Sequence, residues 1–113
     1  MRTDKIRLQD LLDAIYQIEI YIKDGKVSFY ESKLLQSGVL YQLIIIGEAA
    51  GDLDINLRNQ YPSIPWKNVI GMRNILAHQY FRIDLDVVWS TVTAYLPPLK
   101  ETVQEMLISL SED

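Results

Sequence analysis

Arg73, Asn74, His78 and Tyr80 are the residues of this chain whose types and spacing could do chemistry. His78 is its only histidine. Arg73, Tyr80 and Arg82 all lie within five residues of it. An arginine grips phosphate with a planar, two-pronged fork and stays charged at any relevant pH. A histidine, with an ordinary pKa of about 6.5, takes or gives a proton near neutrality. Together they meet what RNA cleavage without a metal demands. A 2′-hydroxyl loses its proton, charge on phosphorus is stabilised, and the leaving oxygen is protonated. With one histidine per chain, two histidine roles require two chains.

The charge pattern points to the same stretch. Residues 55–83 contain no Asp or Glu, while Arg58, Lys67, Arg73 and Arg82 give the window a charge of +4. All 15 acids lie outside it, with only 7 of the 11 basic residues, in a chain of net charge −4. An acidic protein that keeps one positive segment around its only histidine has the makings of an anion site. The overall acidity argues against a general nucleic-acid binder, which carries a basic face. The plainer reading of His78 and Arg82 is two cations at a helix end, where free carbonyls attract them.

The rest of the 113 residues must position these groups. The length and the apolar content of 49% predict one domain, residues 1–113, with a real core. With no cysteine there is no disulfide, thiolate metal site or cysteine nucleophile, and one histidine rules out a histidine-rich metal site in a single chain. No metal or cofactor is expected. No apolar run approaches the ~20 residues of a membrane span, and the N-terminus does not read as a signal peptide. A cytoplasmic protein away from membranes is the expectation.

Leu8, Leu11, Leu12, Ile15, Ile18 and Ile22 have the 3–4 spacing of one helix face. They predict a helix over about 4–23, capped by Thr3 and closed at Gly25. Ser28-Phe29-Tyr30-Glu31 has the spacing of a capping box. The helix it opens is predicted to run to about 59, with a small break near Gly51-Asp52. Residues 39–46 are apolar nearly all round, so that helix is either central or meets another chain. Pro65 predicts the start of a short helix, about 65–76. Leu85, Val88, Val92, Leu96, Leu99, Val103, Met106 and Leu110 predict a last helix, kinked or restarted at Pro97-Pro98. No segment alternates as a strand does. The fold class is all-α, an up-and-down bundle of four to five helices.

In an ideal helix five residues turn through about 140°, so Arg73 and His78 do not share a face. They converge only if the helix ends near Leu76-Ala77, or if two chains contribute. Glu48, among Gly47, Ala49 and Ala50, lies where small neighbours allow close helix approach. A carboxylate there needs a partner, and Arg73 suits it. Asp84 and Asp86 read as a cap and first-turn acid of the last helix, and Trp66 and Trp89 as core.

Four elements in order resemble one family. Ile46-Gly47-Glu48-Ala49-Ala50, Tyr61-Pro62-x-Ile64-Pro65-Trp66, Arg73-Asn74-x-x-x-His78-x-Tyr80 and Val88-Trp89 are similar to the HEPN superfamily. The match is in particular to the HepT-like toxins of HEPN–MNT toxin–antitoxin pairs. The resemblance covers nearly the whole chain. It implies an α-helical homodimer with two motif copies lining an interface cleft. It also implies metal-independent endoribonuclease activity on an RNA substrate, with Arg73 and His78 catalytic and Asn74 and Glu48 supporting. The implied partner is a minimal nucleotidyltransferase (MNT) antitoxin that adenylylates Tyr80, as in type VII toxin–antitoxin pairs. The alternative is a non-catalytic helical interaction or nucleotide-binding module partnering the same nucleotidyltransferase. A third is a plain dimeric bundle with a cationic helix end.

Overall fold

The computed structural model describes residues 3–78 and 82–111. Among them every regular element is helical. They are α1 (Asp4–Ile22), α2 (Lys26–Glu31), α3 (Lys33–Asp52), α4 (Ile55–Asn59), α5 (Trp66–His78), α6 (Leu85–Ser90), a π-turn (Thr91–Tyr95) and α7 (Leu96–Ser111). The fold is an all-α bundle with four long segments: α1, α3, α5 and the continuous run from α6 to α7.

α1 begins where the sequence indicates, because the Thr3 hydroxyl accepts from the Ile6 amide at 3.2 Å. After α1 the chain turns at Gly25, whose φ of 94° an L side chain rarely adopts. The predicted capping box at Ser28 is not used. Ser28 lies inside α2, and Ser32 caps α3, its hydroxyl accepting from the Leu35 amide at 3.1 Å. The single helix expected to about 59 is therefore three. Gln36 makes the first break tolerable: its amide donates to the Phe29 and Tyr30 carbonyls at 3.0 and 3.1 Å, the former also accepting from the Ser32 amide. The second break follows Leu53, where the Asp54 carboxylate accepts from the Asn56 amide at 2.7 Å and opens α4.

The last helix bends through a π-turn. Pro97 and Pro98 have no N–H to give to carbonyls one turn back, so α-helical bonding fails there. The ladder widens, and the Leu96 amide reaches the Thr91 carbonyl five residues earlier. Thr91 and Thr93 hydroxyls donate to the Val87 and Trp89 carbonyls at 2.8 and 2.7 Å. Asp84 caps α6 by accepting from the Asp86 amide, so the Asp84/Asp86 pair is structural, and Asp86 also accepts from the Tyr30 hydroxyl.

α3 is the central helix, packed on α1 along one side and α5 along the other, while α7 closes the bundle against α1. Leu8, Leu11, Ile15 and Ile18 of α1 meet Val39, Leu43 and Ile46 of α3 in the core, with Val103 and Met106 of α7. Trp66 is buried, and Trp89 stacks at a tilt on the buried Phe29, ring centroids 5.5 Å apart. Residues 39–46 are thus core on their inner side, yet Tyr41 and Leu34, seven apart on one face, are 62% and 82% exposed. The longest apolar run in the sequence stays short of a membrane span, but the helix that contains it does not. α3, at 20 residues and mean hydropathy 1.3, meets that length and composition, although its buried positions are those of a bundle core.

Candidate active site

Gly47 sets the geometry of the site. A Cβ placed there would lie 3.1 Å from both the Val69 carbonyl oxygen and Arg73 Cβ, and 3.2 Å from the Arg73 nitrogen. Only a bare backbone lets α3 and α5 approach this closely. The approach places Glu48 beside Arg73, with Oε1 3.5 Å from Nε.

That pair is not buried. Glu48 and Arg73 are 56% and 55% exposed, so the expectation of a desolvated carboxylate is corrected. The small residues around Glu48 serve the packing of α5, while its own side chain reaches outward. An exposed pair of this kind is worth about 1 kcal/mol or less. Its value lies in orientation. The bridge engages Nε, and the terminal nitrogens of a guanidinium are the ones that fit two phosphate oxygens.

α5 does not end at Leu76-Ala77 but continues to His78, the last residue described in that stretch. Arg73 and His78 are therefore on one helix and leave it about 140° apart. The structure brings Glu48 to Arg73 and does not bring His78 to either within one chain. Asn74 lies one turn before His78 on the same side, and both are exposed. That side also holds Ile75, 54% exposed, and Gly71, whose missing Cβ would meet nothing within 4 Å. Tyr80 lies outside the described residues.

Two clefts flank this centre, and neither is legible in the sequence. A groove of about 530 Å³ between α1 and α3 is lined by Arg7, Asp10, Asp13, Gln42, Glu48 and Asp52. Its α1 residues recur at helical spacing and could have been noticed as a polar stripe. Despite the carboxylates, no group of three or more is placed to hold a metal ion among the described residues. A second cleft, also about 530 Å³, opens between α5 and the π-turn, lined by Asn68, Val69, Met72, Thr91, Tyr95 and Leu99 among others. The only sequence signal for it is Pro97-Pro98, which forces the π-turn.

Comparison with known proteins agrees with the family resemblance. A family model described as Ribonuclease HepT-like matches residues 11–106. A Methanocaldococcus jannaschii protein named as a gamma-glutamylcyclotransferase and candidate RNase is 40% identical over 115 residues; the chain spans about half of that relative, 52% of its length. Another candidate RNase of the same organism is 35% identical over 104 residues, covering 91% of this chain and 95% of the relative. A protein of Thermococcus cleftensis named Probable ribonuclease HepT is 34% identical over 106 residues, covering 93% and 96%. No solved structure matches the chain significantly.

Proposed function

Because this chain belongs to the HepT-like ribonuclease family, we propose that it is an endoribonuclease toxin acting as a homodimer, with Arg73 and His78 of both copies in one cleft. The observation that carries this reading is the divergence of the two side chains on α5. Arg73 turns to Glu48 on α3, and His78 leaves the helix end about 140° away. A twofold axis can set one copy's Arg73 opposite the other's His78. Exposed Ile75 and bare Gly71 give α5 a face on which a second copy could pack, and Leu34 and Tyr41 leave apolar surface on α3.

The chemistry then follows without a metal. One His78 takes the proton of a 2′-hydroxyl, and that oxygen bonds to the adjacent phosphorus. Arg73, steadied by Glu48 at Nε, pairs with the non-bridging oxygens as their charge grows. The bond from phosphorus to the 5′-oxygen breaks, and the partner's His78 protonates that oxygen. The products are a 2′,3′-cyclic phosphate and a 5′-hydroxyl.

The proposed partner is a minimal nucleotidyltransferase that adenylylates Tyr80. Tyr80 is two residues from His78 within the acid-free window, so the added phosphate would bring negative charge to the place where RNA phosphate must bind. Tyr80→Phe then stays toxic and escapes modification. Mass spectrometry of the co-expressed pair should find the nucleotide on Tyr80; an unshifted mass in a tight inactive complex would mean neutralisation by occlusion.

The nuclease claim is tested by incubating purified protein with RNA in the presence of chelator. Cleavage is expected from the wild type and not from Arg73→Ala or His78→Ala. Arg73→Lys should also fail, because a point charge lacks the two-pronged grip. Absence of cleavage by the wild type on every RNA tried would favour the non-catalytic binding module.

A further inference from the structure

We propose that the cleft between α5 and the π-turn is a nucleobase subsite, taking one unstacked base of the RNA strand beside the scissile phosphate. The inference rests on the ribonuclease reading and adds what that reading leaves open, namely where the strand lies and how a base is told apart.

Charge decides between the two clefts. The groove between α1 and α3 is lined by Asp10, Asp13, Glu48 and Asp52 against a single Arg7. A polyanion is repelled there. The α5 cleft has no carboxylate in its lining, and Arg73 directly follows its lining residue Met72 on α5. Single-stranded nucleic acid is held where a cation adjoins apolar and aromatic surface.

The shape and lining fit a base. Ile64, Val69 and Leu99 are buried and form an apolar floor. Tyr95 stands at the rim, 70% exposed, as a ring on which a base can stack, and the thioether of Met72 offers a polarizable contact. The polar groups are few and differ in what they can do. The Asn68 amide both donates and accepts, the pattern that pairs bidentately with an adenine edge. The Thr91 hydroxyl already gives its proton to the Val87 carbonyl, so toward a ligand it can only accept. The π-turn creates the site, because it carries both Thr91 and Tyr95 into the lining. Along α5, Met72 adjoins Arg73 and lies about 9 Å of helix rise from His78, so a base here belongs to a nucleotide near the reacting phosphate.

Two measurements on the full-length protein test this. In the first, the four nucleoside 5′-monophosphates are titrated while NMR signals of Asn68, Met72 and Tyr95 are followed, with ribose 5-phosphate as the baseless control. Nucleotides should shift these signals, and ribose 5-phosphate should not. Tyr95→Ala should weaken binding by roughly 5- to 150-fold, the value of one base–aromatic stack, and Tyr95→Phe should restore it. No shift with any nucleotide, or wild-type affinity in Tyr95→Ala, overturns the subsite. In the second, wild type, Tyr95→Ala and Asn68→Ala are compared on a panel of RNAs. The variants should raise KM and flatten the base preference at the cut site, with kcat within a few-fold. Unchanged cut sites and KM in both variants overturn the subsite while leaving the ribonuclease reading standing. Nucleotide binding at these residues without any RNA cleavage does the reverse.

Discussion

Replacing Gly47 by alanine should strain the α3–α5 seam that positions Arg73. The new methyl would lie 3.1 Å from the Val69 carbonyl oxygen and 3.2 Å from the Arg73 nitrogen, both backbone atoms of α5 that no rotamer change can move. α5 must shift by a few tenths of an ångström. Overpacking of this kind costs about 1–3 kcal/mol, and the better helix propensity of alanine returns up to ~1 kcal/mol. A net loss of about 1–2 kcal/mol is expected. Gly51, one turn further along the same seam, is the internal control. Its added methyl meets Ile70 Cγ2 at 3.5 Å, an ordinary contact, so Gly51→Ala should gain about 0.5–1 kcal/mol. Urea unfolding with a common m-value reads both changes directly. RNA cleavage should fall in Gly47→Ala at a temperature where it remains folded, since Arg73 moves with α5. Equal stabilities for the two variants would refute the close-approach argument.

Ser32→Ala should cost about 1 kcal/mol by removing the α3 cap, whereas Ser28→Ala should be nearly neutral; thermal unfolding separates them. Phe29→Ala, at a fully buried ring against Trp89, should cost about 3–5 kcal/mol and alter the tryptophan fluorescence of the folded state. Lys100 is held above its ordinary value of 10.5, chiefly by its 2.9 Å hydrogen bond to Glu19. A raised lysine stabilises the fold at neutral pH and loses that contribution as pH climbs through its folded-state value. Glu19→Gln should therefore be slightly less stable than wild type at pH 7, and the difference should vanish at strongly alkaline pH.

What the sequence made legible was mostly local. Thr3 and Asp84 cap helices because a side-chain oxygen meets a free amide two or three residues on, a relation that spacing alone expresses. The apolar rows of α1 and of the last helix likewise name their buried faces. Ser28 and Ser32 could not be ranked in this way, since both can cap. The choice falls to Ser32 with the help of Gln36, whose amide returns six and seven residues to satisfy the end of α2. The pairing of Glu48 with Arg73 was legible from the small residues around Glu48, but its exposure was not. Gly47 faces α5, while the next side chain clears it. Pro97-Pro98 announced a distortion, yet a π-turn and the cleft beside it depend on how α6 and α7 pack.

The proposed shared site is tested most directly by diluting wild-type chains into His78→Ala chains through co-refolding and measuring RNA cleavage per wild-type chain. If both copies contribute to each cleft, mixed dimers are inactive. Activity per wild-type chain then falls in proportion to the wild-type fraction, to roughly one tenth at about a nine-fold excess of variant. Activity per wild-type chain that stays constant through the same dilution would show that one His78 is enough at each site, and would contradict a cleft that uses both.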